Sequence, residues 1–171
     1  MSLSDIAEGV ATTRSQRERG VAVVDRTSGS LASVLEEFAS GLSCGAEPAA
    51  TLVKAYRGGQ SVESAATAAG VPPVTAAKVL YRLGFEGLSP LSPLQRDICR
   101  DWLAGDLTRT EAQELADVGE RAFALGAYIE THDPIPGAEE GVEDALASSE
   151  DAMVEKRDAL AETMTAASDF L

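Results

Sequence analysis

Apolar residues in the first 45 positions fall at three- and four-residue intervals: Leu3, Ile6, Val10, then Val24, Leu31, Val34, Phe38 and Leu42. That is the period of a helix with one buried face. Thr13, Arg17 and Gly20 interrupt the seam, and the β-branched run from Val21 to Asp25 favours a locally extended chain. The pattern predicts two helices, over 4–26 and 30–41, jointed at Thr27-Ser28-Gly29-Ser30. The same period returns over Pro48–Arg57, with Leu52, Val53 and Tyr56 on one face and Gly58-Gly59 as the break.

From Ser61 to Gly84 the punctuation is denser. Ser61 caps a short helix, small residues at Ala65 and Ala66 permit a close crossing, and Gly70 supplies the left-handed conformation that stops it. Pro72 and Pro73 forbid continuation, yet proline suits the first position of a new helix, and Gly84 suits the position just past its end. In that second helix Ala76, Val79, Leu80 and Leu83 face inward, while Val74, Ala77, Lys78, Tyr81 and Arg82 form the outer ridge. These two dozen residues resemble a helix-turn-helix, with 48–57 as the supporting third helix. The resemblance implies a trihelical DNA-binding domain over 46–88 whose second helix enters the major groove of duplex DNA. The candidate contacts are Pro73, Val74, Thr75, Ala77, Lys78, Tyr81 and Arg82, with Lys54 and Arg57 as flanking cations. The first turn of the ridge carries no Asn, Gln or Arg, so base-specific readout is weak there. The apolar ridge equally suits a protein partner.

Downstream, Ser92 caps and Pro93 opens a helix to Ala104 with Leu94, Ile98 and Trp102 on its face. Thr108 to Glu111 is a capping-box sequence opening a helix with Ala112, Leu115 and Ala116 inward. Another helix follows over Glu120–Glu130 through Phe123, Leu125, Ala127 and Ile129. This segment, 89–136, reads either as a second helix-turn-helix unit or as an unrelated alanine-rich hairpin. A shift of 46 aligns Tyr56 with Trp102, Gly59 with Gly105 and Ala66 with Ala112, whereas a shift of 47 aligns Ser61 with Thr108, Val71 with Val118 and Tyr81 with Tyr128. Together they require a one-residue insertion. Pro134, Pro136 and Gly137 end the segment, and 138–171 forms one long amphipathic helix. Its stripe runs through Val142, Leu146, Ala152, Met153, Leu160, Met164, Ala167 and Phe170. So thin a seam needs support, from the amino-terminal helices or from a second copy of the chain.

Composition narrows the function classes. Among 171 residues, 28 are acidic and 14 basic, and only Lys54, Lys78 and Lys156 are lysines. Acidic, lysine-poor and rich in Ala, Gly, Val and Thr, the composition resembles that of haloarchaeal proteins, whose carboxylate surfaces stay hydrated where molar salt shortens screening to about 3 Å. By segment the net charge is 0 over 1–27, −2 over 28–45, +1 over 46–88, −5 over 89–136 and −8 over 137–171. Only 46–88 carries a positive balance, as a surface approaching phosphates requires. No signal peptide and no run of ~20 apolar residues is present, which predicts a cytoplasmic chain without a membrane partner. Cys44 and Cys99 lack companions at metal-ligand spacing and read as free thiols. The single histidine, His132, lies in a proline-flanked loop. No nucleophile motif, phosphate loop or metal set occurs, so no catalytic, metal or cofactor site is expected. The sequence therefore predicts an all-α protein with four segments, 1–45, 46–88, 89–136 and 137–171. Duplex DNA is its first candidate partner, ahead of a protein partner and a homodimer through the terminal helices.

Overall fold

The computed structural model describes residues 30–168, and over them the chain is all helical. Eight α-helices follow in order: α1 Leu31–Glu37, α2 Ala46–Arg57, α3 Val62–Ala69, α4 Pro73–Arg82, α5 Pro93–Ala104, α6 Arg109–Ala116, α7 Glu120–Thr131 and α8 Ala138–Ser168. A 3-10 turn at Ala39–Gly41 closes the predicted 30–41 helix early. The predicted 4–26 helix and the extended run at 21–25 lie outside the described residues.

Local chemistry sets the boundaries. Ser61 accepts a hydrogen bond from the Ser64 N–H at the start of α3, and Gly70 stops that helix at φ 67°, a backbone state that side chains with a Cβ rarely adopt. Ser92 and Thr108 each form a complete capping box, with Gln95 and Glu111 respectively. Glu111 takes hydrogen bonds from both the hydroxyl and the N–H of Thr108, which hold its carboxyl below the usual range.

Two cores result. In the first, α2, α3 and α4 pack on one another, with Leu52, Val53, Ala65, Ala66, Ala76, Val79, Leu80 and Leu83 buried. Leu31 and Leu35 of α1 complete it on one side, and Ala138, Val142 and Ala145 of α8 lie over α1. The long helix thus docks on the amino-terminal helix through its first turns. Farther along it projects, leaving Met153 70 % and Val154 50 % exposed. The second core, among α5, α6 and α7, is smaller: Leu91, Cys99, Ala112, Ala116 and Phe123. Leu94 and Leu115, predicted to face inward, are exposed at 70 % and 62 %. The other expected positions in α5 and α6 hold: Ala112 and Ala116 are buried, and Ile98 and Trp102 pack on this core beside the buried Cys99.

A single shift of 47 residues carries α2 onto α5, α3 onto α6 and the start of α4 onto that of α7. The helix boundaries need no one-residue insertion: Gly105 matches Gly58 as the residue after the helix and Ala112 matches Ala65, although the left-handed backbone of Gly105 at φ 90° is shared with Gly59 at φ 86° and not with Gly58. The left-handed stop at Gly70 is matched by Asp117 at φ 48°. Core volumes are redistributed between the sets. Phe123 stands where the first core has Ala76, and Gly126 and Ala127 stand where it has Val79 and Leu80. The large ring fills space that the smaller neighbours leave open.

Two measurements check this packing. A Cβ at Gly126 would collide with Leu91 Cδ1 and Cγ, and Leu91 is itself buried. Gly126→Ala is therefore expected to lower stability by about 1–3 kcal/mol in chemical denaturation, and an unchanged midpoint would place Leu91 elsewhere. For the Glu111 cap, a carboxyl whose folded pKa is depressed stabilises above its unfolded value and loses that contribution as pH falls through its folded one. Glu111→Ala should be less stable than wild type at neutral pH, and the gap should close as pH falls through and below the ordinary carboxylate range. A gap that persists in acid would rule out the ionised cap.

Candidate functional site

The outer ridge of α4 is where sequence reasoning placed the function. The structure brings it against α7 and the loop that follows. Helix α7 ends without a basic residue in its last turn and without a left-handed stop. The Thr131 hydroxyl donates to the carbonyls of Ala127 and Tyr128, and the carbonyls beyond them and the negative dipole end need donors and positive charge from elsewhere. Helix α4 supplies both. The Tyr81 hydroxyl hydrogen is shared between the carbonyls of Ile129, at 3.0 Å, and His132, at 2.6 Å. The Arg82 guanidinium donates to the Asp133 carbonyl, and the Arg82 carbonyl accepts from the Ile135 N–H at 2.7 Å. Lys78 places its ammonium 4.5 Å from the centroid of the Tyr128 ring.

Sequence periodicity had no signal for the receiving side. The Tyr128 ring stacks on His132 at 3.9 Å, and His132 Nδ1 lies 3.0 Å from the Tyr128 carbonyl. His132 is exposed, as its loop position predicts, but it is organised by α7. Burial first, then the negative charges of Asp133 and Glu130, raise the Tyr81 pKa above its ordinary value, which keeps the hydroxyl a donor.

The nine sequence-predicted contacts divide accordingly. Ala77 is 5 % exposed and so cannot present itself as an outer-ridge residue, because the neighbouring unit covers that face. Lys78, Tyr81 and Arg82 are half-buried and engaged as described. Pro73 is exposed and Val74 and Thr75 are half-buried at the amino-terminal end of α4. There Pro73, Val74 and Ala77 help to line a cleft of about 400 Å3 whose opposite wall includes Arg121, Ala122 and Leu125 of α7. Lys54 and Arg57 lie apart, exposed in the last turn of α2. Arg57 borders a second cleft together with Glu139 and Glu143, so carboxylates offset its field.

The positive balance of 46–88 has a local explanation in this arrangement. Two of its four cations, Lys78 and Arg82, serve the carboxy-terminal end of α7. Among the described residues no cluster of His, Cys, Asp or Glu is arranged to hold a metal ion, and no helix is long and apolar enough to cross a membrane. Cys99 is buried and Cys44 half-buried, and desolvation raises both thiol pKa values.

No curated protein and no solved structure matches this chain. A family model covers residues 1–169, and the chain accordingly belongs to DUF7858, a family of unknown function.

Proposed function

We propose that the chain is a tandem pair of helix-turn-helix units, 46–88 and 89–136, that works as a protein-interaction module and does not read duplex DNA through α4. The observation that carries this reading is the occupation of the α4 ridge by α7. A recognition helix must present Lys78, Tyr81 and Arg82 to a groove, and here those side chains hold the end of another helix in the same chain. Support for two related units comes from the common shift of 47 residues and the matched caps at Ser61 and Thr108. The face left open is apolar, the cleft between the amino-terminal halves of α4 and α7, and it suits a hydrophobic segment of a partner protein better than phosphates. The net charge of −14 on the whole chain disfavours nucleic acid further.

The test is an anisotropy titration of the full chain with random duplex DNA over a range of KCl. No binding is expected even at low salt. Binding whose log-log salt slope is near −0.9 per phosphate contact, and which Lys54→Glu with Arg57→Glu removes, would return the protein to the DNA-binding class. In the same preparation, capture of a partner by pull-down should be lost in Val74→Asp while the circular dichroism spectrum is kept.

A further inference from the structure

At the junction of the two units an open cavity of about 530 Å3 adjoins the cleft at the amino-terminal ends of α4 and α7 and shares Gly87, Leu88 and Ser89 with it. Its walls combine Phe85 and Leu88 from the first unit and its connector with Leu91 and Ile129 from the second. Arg96 also reaches it. The Nε of Arg96, like that of Arg82, is buried without an acceptor, but whereas the Arg82 guanidinium also donates to the Asp133 carbonyl, that of Arg96 makes no ion pair among the described residues. By contrast Arg100 is paired with Asp97 and Glu130, and Arg109 with Glu120. Arg96 is the fourth residue of α5, near the positive end of the helix dipole, where a cation is disfavoured. A cation placed against the dipole and left with a desolvated donor calls for an anion.

Two carboxylates, Glu86 and Glu139, border the same cavity, and both are exposed. They repel a simple anion but attract an ammonium group. Volume, apolar walls at a unit junction and a few convergent polar groups are the features of a small-molecule site.

We infer that this cavity binds a small zwitterion with an apolar body, the class to which free apolar α-amino acids belong. Its carboxylate pairs with Arg96, its ammonium faces Glu86 and Glu139, and its apolar part packs on Phe85, Leu88, Leu91 and Ile129. Because both units contribute to the walls, the ligand stabilises their junction and so couples to the arrangement of α4 on α7. The site goes beyond the interaction reading and stands or falls separately from it.

Calorimetry and thermal melting of the full chain with L-leucine and L-phenylalanine test the inference, with leucinamide and 4-methylpentanoate as analogues lacking one charge each. The expected result is saturable binding and a raised melting temperature with the amino acids, and affinity weaker by roughly ten- to a hundredfold for each analogue, the value of one charge-assisted hydrogen bond. Arg96→Gln should abolish the response. Where that variant fails to fold, the analogue series on the wild-type chain decides. No response to either amino acid, leucinamide binding as tightly as leucine, or an undiminished response in folded Arg96→Gln overturns the assignment.

Discussion

The shared hydrogen bond from the Tyr81 hydroxyl to the end of α7 is the contact on which the arrangement of the two units depends. A helix end carries four carbonyls without intrahelical donors, and water or a glycine stop usually satisfies some of them. Helix α7 runs into His132-Asp133-Pro134, which offers no left-handed stop; the Thr131 hydroxyl serves the Ala127 and Tyr128 carbonyls, and the Ile129 carbonyl takes its donor from α4. The residues of α4 that serve this end, Lys78, Tyr81 and Arg82, sit at i, i+3 and i+4 and point to one side. Fixing that end also fixes the loop to Ile135, whose side chain packs on the first core and whose N–H bonds to Arg82. The loop then delivers α8 onto α1. Removing the α4 contact therefore affects more than one interface.

Much of the fold was legible in the chain because local chemistry determined it. Pro73 and Pro93 fix φ at a value that suits a first helical position, Gly70 and Gly105 permit the left-handed stop that other residues disfavour, the Thr108 capping box ties down another start, and the helices begin and end at these points. The inward face of α4 was legible for the same reason, through the spacing of Ala76, Val79, Leu80 and Leu83. Periodicity misled at two leucines. In α5 and α6 Leu94 and Leu115 look like core positions but are exposed, while Ala112 and Ala116 are buried as their spacing indicates and Cys99 joins them.

The candidate site was legible only by halves. Sequence placed Lys78, Tyr81 and Arg82 on one ridge, and that ridge packs against α7 and the loop after it. What it meets depends on a contact between residues 48 and 51 positions apart, and no local pattern encodes such a distance. The resemblance to a helix-turn-helix implies phosphates as the partner of those cations, and within the chain they meet the end of α7. Arg96 was invisible for a related reason. In sequence it is one arginine in a charged helix, and only the fold separates it from the carboxylates that pair with Arg100 and Arg109.

The central claim is that the α4 ridge is held against α7 in the free protein, and Tyr81→Phe tests it with the removal of one oxygen. If the hydroxyl serves the Ile129 and His132 carbonyls, the variant should unfold at lower denaturant, with a loss of about 1 kcal/mol or somewhat more. Amide exchange along the loop from Asp133 to Ile135 should rise with it. A Tyr81→Phe protein with wild-type stability and unchanged exchange in that loop would mean that the ridge is free in solution, and would contradict the account.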